Sequence, residues 1–320
     1  MEKYYITTPI YYVNDKPHIG HAYTTILADT ISRFRALVGE KPTFLTGLDE
    51  HGLKVQQAAE KNGKAPQDHC DSMAPAFIDL WKKLNINYSD FIRTTEHRHT
   101  KIVQQILTKV HESGDIYMDE YEGWYSISEE RFITEKELDS GQFGQVKQIK
   151  EKNYFFRMSK YQATLIDKIE KDELLIQPKS RKNEVLGFLK NELSDLCISR
   201  PKSRLEWGIE LPFDDNYVTY VWFDALINYI SAIGAYSNDE QFSSLWPADV
   251  HLIGKDILTT HSVYWPTMLL SLGLPLPQRI FAHGWWLTDD QKMSKSLGNV
   301  VSPLMLIYDF GVDSVIYYLM

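Results

Sequence analysis

Two short motifs near opposite ends of the sequence carry side chains that can handle phosphate. His18-Ile-Gly-His21 places two imidazoles three residues apart, and Lys292-Met-Ser-Lys-Ser296 places two lysines three residues apart beside two serines. Residues at this spacing share one face of a helix, and the N–H groups at a helix N-terminus favour an anion. Lysines on a mobile loop can neutralise charge that builds on a departing pyrophosphate. The two motifs together predict a reaction in which a nucleoside triphosphate releases pyrophosphate.

Each motif has a plainer interpretation when it is taken alone. The histidines could be surface side chains or a helix cap, and the lysine pair could belong to a solvated loop. The HxxH spacing also occurs in zinc sites, but neither a third ligand nor the glutamate of an HExxH motif accompanies it. The sequence contains neither GxxxxGK[ST] nor GxGxxG, so no rival phosphate motif competes with this pair.

The segments around these motifs predict an α/β fold. Lys3–Val13 reads as a buried strand, a turn follows, and a helix with one apolar stripe then extends to about Gly39. The stripe consists of Ile19, Tyr23, Ile26, Leu27, Ile31, Phe34 and Leu37. Further predicted strands are Thr43–Leu48, Asp90–Thr94, Tyr217–Phe223, Val250–Ile253 and Arg279–His283, and further predicted helices include Gln67–Leu84 and His97–Glu112. Alternating strands and helices predict a doubly wound parallel sheet that binds ligands at the carboxyl ends of its strands.

The sheet is predicted to be split by an α+β insertion. Short, charged, strand-like pieces begin near residue 115, and helices are predicted near Lys160–Lys171 and Asn183–Leu196. We therefore expect a first half of the core at residues 1–114, an insertion at 115–214, a second half at 215–286, and the lysine loop in 287–320. The last residues resemble an apolar helix cut short, so we expect the sequence to be a fragment of a longer protein.

Composition narrows the class of protein. The chain has 320 residues, of which 43% are hydrophobic, and a formal net charge of -9, which argues against a general DNA or RNA binder. Cys70 and Cys197 form neither a disulfide framework nor a CxxC zinc motif. No signal peptide and no apolar stretch of membrane-spanning length is evident, so we expect a cytoplasmic protein without a membrane partner.

The pairing of HIGH with a distant KMSKS resembles the double signature of class I aminoacyl-tRNA synthetases. Other segments resemble the methionyl-tRNA synthetase family: Pro9-Ile-Tyr-Tyr-Val-Asn14, Thr46-Gly-Leu-Asp-Glu-His-Gly52, Tyr220-Val-Trp-Phe-Asp-Ala225, His251-Leu-Ile-Gly-Lys-Asp256 and Ala282-His-Gly-Trp285. This resemblance extends over essentially the whole chain. It implies a Rossmann-like core split by a connective-peptide insertion, with KMSKS in a stem-contact segment. An anticodon-binding domain would follow, and we find none in this sequence.

The resemblance also implies a reaction. The carboxylate of L-methionine attacks the α-phosphate of ATP in line, pyrophosphate leaves, and the acyl group passes to the acceptor end of tRNA(Met). No covalent enzyme intermediate is needed, since the protein positions the substrates and stabilises charge. Mg²⁺ is expected to accompany ATP.

The family pattern assigns a role to each matching residue. Catalytic roles fall to His18, His21, Lys292 and Lys295, and ATP-binding roles to Gly20, Gly254, Asp256, Ser294 and Ser296. Methionine-binding roles fall to Ile10, Tyr12, Asp49, Trp222, Ala225, Tyr229, His261 and Trp265. By helical spacing, Trp222, Ala225 and Tyr229 share one face, as do His261 and Trp265. Core packing is the alternative for each aromatic residue by itself.

The sequence departs from the family pattern in its insertion. Many members carry a cysteine-based zinc knuckle there, but this insertion contains only Cys197, so we predict no structural zinc. Basic clusters at Lys179-Ser-Arg-Lys182 and Arg200-Pro-Lys-Ser-Arg204 could contact the tRNA acceptor stem, or could be solvated charges.

Three alternative functions stay open from sequence alone. They are a nucleotidylyltransferase with an HxGH turn, a non-catalytic tRNA-binding relative, and a synthetase for leucine, isoleucine, valine or cysteine. Nucleotidylyltransferases are generally shorter and lack KMSKS. Synthetases for the other amino acids would be expected to carry a large editing domain or a cysteine-bound zinc.

Overall fold

The computed structural model describes residues 2–126, 131–133, 138–139, 145–288, 291–292 and 301–320. Its strands are β1 (Lys3–Tyr12), β2 (Lys41–Asp49), β3 (Asp90–Arg93), β4 (Ile116–Ser126), β5 (Arg131–Ile133), β6 (Val146–Phe156), β7 (Leu175–Gln177), β8 (Leu196–Cys197), β9 (Ser199–Pro201), β10 (Glu210–Leu211), β11 (Asp214–Thr219), β12 (Val250–Gly254), β13 (Arg279–His283), β14 (Leu287–Thr288) and β15 (Gln291–Lys292). Its α-helices are α1 (Ile19–Leu37), α2 (Leu53–Lys61), α3 (Pro66–Lys83), α4 (His97–Glu112), α5 (Gln162–Glu170), α6 (Lys179–Phe188), α7 (Val221–Leu226), α8 (Asn228–Ser231), α9 (Asp239–Leu245), α10 (Trp265–Ser271), α11 (Pro303–Phe310) and α12 (Val312–Leu319).

A parallel sheet of six strands forms the centre of the molecule, in the order β3-β2-β1-β12-β13-β7. The chain first runs outward from β1 to β2 and β3, and later places β12 and β13 on the other side of β1. The direction of travel therefore reverses between β1 and β12. Such a reversal opens a crevice at the carboxyl ends of the two strands. The predicted Rossmann-like α/β fold is confirmed.

The burial of these strands explains their sequences. In β12, the residues from Val250 to Ile253 are all buried, and most of β1 is buried too. Parallel strands covered on both faces read as near-continuous apolar runs, which is the pattern seen here. The predicted stripe of α1 is correct for Ile19 and Ile26, which are buried. It is wrong at the end of the helix, where Phe34 and Leu37 are 57% and 85% exposed.

Two smaller antiparallel sheets come from the range predicted as the insertion, except that β11 extends beyond it to Thr219. One has the order β5-β4-β6-β8, and the other has the order β10-β11-β9. The same range also supplies β7, which pairs in parallel with β13 and forms an edge of the main sheet. A strand of the core thus comes from within residues 115–214. The domain boundaries stay a prediction.

Two predicted elements differ from the structure. Tyr217–Phe223 is not one strand, because β11 ends at Thr219 and α7 begins at Val221. A short apolar run fits a buried strand and a buried helix equally well, and most of α7 is buried. The helix predicted at Asn183–Leu196 begins earlier and ends earlier, at Lys179–Phe188.

Candidate active site

A cleft of about 510 Å³ opens at the carboxyl ends of β1, β2, β12 and β13. It brings together most of the residues predicted for catalysis, ATP and methionine. Those that line it are Ile10, Tyr12, His18, Gly20, His21, Asp49, Trp222, Ala225, Tyr229, Gly254, Asp256 and His261. Because they come from both halves of the sheet, the fold itself assembles this set.

The first turn of α1 fixes the two motif histidines. Nδ1 of His18 accepts a hydrogen bond from the Gly20 amide at 3.1 Å, and Nδ1 of His21 accepts one from the His18 amide at 3.2 Å. The two rings stack with centroids 3.8 Å apart. A ring nitrogen that accepts carries no proton, so each neutral imidazole carries its proton on Nε2 and can donate it to an anion. The histidines thus cap the helix and also line the cleft.

At two glycines of the cleft, a side chain would force a neighbouring side chain to move. A Cβ added at Gly20 would lie 2.9 Å from Cε1 of His18, and one added at Gly254 would lie 2.6 Å from Oδ1 of Asp256. Both distances are well inside normal contact. Glycine at these positions therefore keeps His18 and Asp256 where they line the cleft.

Two adjacent carboxylates at the end of β2 have different environments. Glu50 is buried and paired with Arg93, whose Nε lies 2.7 Å from Oε1, and it also accepts a hydrogen bond from the Thr95 hydroxyl. Its neighbour Asp49 is 7% exposed and lines the cleft. Of the two carboxylates, Asp49 is the one that lines the cleft.

The apolar end of the cleft is formed by α7, α8 and the segment after β12. Trp222, Ala225 and Tyr229 line it although a break separates α7 from α8. His261 lies at its wall, and burial lowers the pKa of this imidazole to about 4. A neutral, buried histidine and a buried tyrosine give this slot polar atoms without formal charge.

Trp265 does not line the cleft with the other predicted methionine-binding residues. It is fully buried, and its Nε1 donates a hydrogen bond to Nε2 of His251 at 3.1 Å. The predicted shared face requires one regular helix, but a π-helical turn covers Thr260–Tyr264 and changes the angle between His261 and Trp265. Trp265 instead packs behind Tyr229, with ring centroids 5.9 Å apart.

The cleft also contains residues outside the predicted set. Nε2 of His283 lies 2.7 Å from the Thr24 hydroxyl, which joins the end of β13 to α1. Trp285 lines the cleft, and Nζ of Lys255 lies 3.7 Å from the centre of its ring. His283 and Trp285 belong to the segment Ala282–Trp285. The resemblance of this segment to the family could have identified both residues from the sequence. Lys54, Asn228 and Trp286 line the cleft as well.

The lysine motif falls largely outside the described residues. This applies to Ser294, Lys295 and Ser296, and for Lys292 only the backbone is described, in β15. The chain on both sides of the motif lies against α1. The Ile19 amide donates a hydrogen bond to the Val301 carbonyl at 3.2 Å, and the Trp286 ring contacts the Tyr23 ring at 5.4 Å.

The two basic clusters are largely engaged within the chain. Arg200 is only 3% exposed, so it is not a solvated charge at a helix end. Arg204 pairs with Glu151, Lys202 with Glu210, Lys182 with Asp172 and Arg181 with Glu184. Contact of these clusters with tRNA stays a prediction.

Comparison with known proteins shows the family to which the chain belongs. The family model described as tRNA synthetases class I (M) matches residues 4–142 and 139–320. The chain belongs to the class I tRNA synthetases. Its resemblance to methionyl-tRNA synthetases is confirmed by curated relatives: methionine–tRNA ligase of Clostridium tetani is 52% identical over 99% of this chain and 50% of that protein, and the enzyme of Thermotoga maritima is 50% identical over 99% of this chain and 51% of that protein. This synthetase chain spans about half the length of the curated relatives it matches.

Solved structures of a synthetase resemble the fold closely. Mycobacterium tuberculosis methionyl-tRNA synthetase in complex with methionyl-adenylate has a TM-score of 0.95 and 43% identity, and the match covers 100% of this chain and 64% of that chain. The free-state structure of that enzyme has a TM-score of 0.80 and 39% identity, with 100% and 61% covered. The present synthetase chain thus follows the adenylate complex more closely than the free state.

Proposed function

We propose that this synthetase chain activates L-methionine with ATP, which gives methionyl-adenylate and pyrophosphate. One observation carries the proposal. An anion-binding helix start, with His18 and His21, shares a single cleft with an apolar slot bounded by Trp222, Tyr229 and neutral His261. A nucleotide and a long uncharged side chain are the two ligands that such a cleft suits. The methionyl-adenylate bound to the M. tuberculosis relative supports the same substrates.

Each part of the cleft has a role in this reaction. Asp49 binds the ammonium group of methionine, and the slot formed by α7 and α8 takes the thioether. Nε2–H of His18 and of His21 donates to phosphate oxygens. The methionine carboxylate forms the new bond to the α-phosphorus, and the bond to the β-phosphate oxygen breaks with release of pyrophosphate. No side chain forms a covalent bond, because positioning and charge stabilisation supply the rate.

We also propose that Lys292 and Lys295 stabilise the leaving pyrophosphate, helped by Ser294 and Ser296. The hydrogen bond from Ile19 to Val301 supports this, since it holds the chain just beyond the motif beside His18. Val301 follows Ser296 by only five positions, and each residue spans at most about 3.6 Å. The start of α1 is therefore within reach of the motif.

Mg²⁺ is expected to arrive with ATP, where it would neutralise triphosphate charge. Within the described ranges, no group of three or more His, Cys, Asp or Glu side chains could hold a metal ion. Mg²⁺ at nucleotide sites is commonly bound by one or two carboxylates together with the substrate phosphates. The absence of structural zinc stays a prediction.

Transfer of the methionyl group to the acceptor end of tRNA(Met) is a separate proposal. The names of the curated relatives support it, but their chains are about twice as long as this one.

Among the residues that the structure describes, no helix is long and apolar enough to cross a bilayer. The expected cytoplasmic location stays a prediction.

Amino-acid-dependent exchange of pyrophosphate into ATP tests the activation step. We expect exchange with L-methionine and not with leucine, isoleucine, valine or cysteine. Exchange with one of these in place of methionine would reassign the specificity. A folded chain that supports no exchange, yet binds tRNA, would favour a non-catalytic role.

A further inference from the structure

A buried carboxylate stands behind the methionine slot and does not line the cleft. Asp224 is fully buried. Its Oδ2 accepts a hydrogen bond from Nδ1 of His51 at 2.6 Å, and its Oδ1 accepts one from Nε2 of His99 at 2.7 Å. The other nitrogen of His99 lies 2.8 Å from the Ser231 hydroxyl. These four residues form what we call the buried network.

The cost of burial makes the buried network unusual as a purely structural element. Removing a carboxylate from water is expensive, and an apolar group of similar volume often serves stability as well or better. Here burial raises the pKa of Asp224, but His51 and His99 outweigh it and hold the pKa at about 2. An apolar group could not orient the two histidine rings. Each oxygen of the carboxylate fixes one imidazole in one orientation.

The buried network joins the segments that carry the methionine slot. His51 follows Asp49 by two residues, Asp224 lies between Trp222 and Ala225, and Ser231 follows Tyr229 by two residues. Asp49, Trp222, Ala225 and Tyr229 all line the cleft. These parts of the cleft are thus each tied to the network through a few covalent bonds.

His99 connects the buried network to a further helix of the core. It lies near the start of α4, a helix that contributes none of the described residues lining the cleft. Ile102 and Ile106 of α4 are buried in the main hydrophobic core. The network therefore anchors the end of β2, α7 and α8 to a helix that is packed in the same hydrophobic core as α7 and α8.

We propose that the buried network centred on Asp224 is a positioning device that sets the distance between Asp49 and the slot formed by α7 and α8. The inference rests on the proposed function, since it concerns the methionine site. Asp224, His51 and His99 do not touch the substrate and act through Asp49, Trp222 and Tyr229. Loss of the network therefore weakens methionine binding more than it changes the use of ATP.

The first test compares Asp224→Asn with a matched buried carboxylate. The substitution keeps the size of the side chain but sets an amide N–H against an imidazole N–H. Asp115→Asn is the control, because Asp115 is 2% exposed and pairs with Lys160 and Ser271, and none of these lines the cleft. Equilibrium dialysis with labelled L-methionine gives Kd, and pyrophosphate exchange gives KM for ATP. We expect D224N to raise the methionine Kd about tenfold with KM for ATP within about twofold, and D115N to leave both within about twofold.

Replacement of the two histidines keeps the test decisive if D224N does not fold. The asparagine of His51→Asn can place an N–H where Nδ1 of His51 donates, and the glutamine of His99→Gln can place one where Nε2 of His99 donates. We expect H51N and H99Q to bind methionine more tightly than H51A and H99A. Equal binding by the amide and alanine variants would overturn the proposal, as would native binding by folded D224N or equal weakening by D115N. A wild-type chain that binds no methionine would instead contradict the proposed function itself.

Discussion

The hydroxyl of Tyr229 lies 2.7 Å from Nε2 of His261, inside the apolar slot. Nδ1 of the same histidine lies 2.9 Å from the Ile257 carbonyl, which can only accept. Nδ1 of neutral His261 therefore carries the proton, and Nε2 accepts from Tyr229. The single proton of the Tyr229 hydroxyl is used by His261, so the oxygen faces the slot as an acceptor. Contacts between this slot and a thioether are therefore mainly those of packing.

Tyr229→Phe tests this pair. The substitution leaves Nε2 of His261 buried without its donor, which costs about 1–3 kcal/mol for a buried polar atom. We expect methionine binding to weaken by about fivefold or more in equilibrium dialysis. Tyr154→Phe is the control, since the buried Tyr154 donates to Asp214 and does not line the cleft. Equal binding by Y229F and wild type would contradict the assigned pair.

The lowered pKa of His261 predicts a pH dependence of stability. The imidazole titrates near 6.5 when unfolded and at about 4 when folded, so the unfolded chain binds more protons between these values. The contribution of neutral His261 to the free energy of unfolding is fully present above pH 6.5, and it falls by about 3 kcal/mol as the pH drops to 4. His251, whose pKa burial also lowers, contributes in the same window. Urea unfolding of His261→Gln should show a shallower decline across this window, and an unchanged decline is incompatible with the assignment.

The order of the cleft residues could be read from the sequence only in part. The parallel sheet and the carboxyl-end location follow from local patterns, and the HIGH segment begins a helix as expected. The position of Trp265 could not be predicted, because it depends on a π-helical turn that no pattern in the sequence indicates. The edge strand β7 has three residues and gains its place from pairing with β13, about 100 residues later in the chain.

The buried network was equally invisible in the sequence. His51 and Asp224 are 173 residues apart, and His99 and Asp224 are 125 apart. Each of these side chains, taken alone, reads as an ordinary polar residue beside an apolar run. Only the fold shows that α4, α7 and the loop after β2 meet at one carboxylate.

Gly20→Ala tests the start of α1. A Cβ there would lie 2.9 Å from Cε1 of His18 and would displace the stacked imidazoles. We expect kcat/KM for ATP in pyrophosphate exchange to fall by about tenfold or more, because the phosphate-contacting geometry is lost. Gly187→Ala in α6 is the matched control, since open space surrounds that position and alanine favours a helix. A G20A chain as active as G187A would show that the imidazole positions do not matter.

Lys295→Ala tests the lysine motif. The lysine is proposed to act on charge that develops as pyrophosphate leaves, so its loss should lower the activation rate about 100-fold or more. Methionine Kd should stay within about twofold, since the ground state is unaffected. Lys171→Ala, an exposed lysine paired with Asp167, should change neither quantity. Equal losses in rate and in methionine affinity would count against the proposed role of Lys295.

Direct detection of methionyl-adenylate is the most direct test of the account. Equal concentrations of the chain and of ATP labelled at its α-phosphate are mixed with L-methionine, Mg²⁺ and pyrophosphatase. The labelled products are then separated. We predict that the label moves into methionyl-adenylate, with about one product per active site, and that omission of methionine abolishes it. Label found only in unreacted ATP or in ADP, from a folded chain that binds methionine, would contradict the claim that this cleft joins methionine to the α-phosphate.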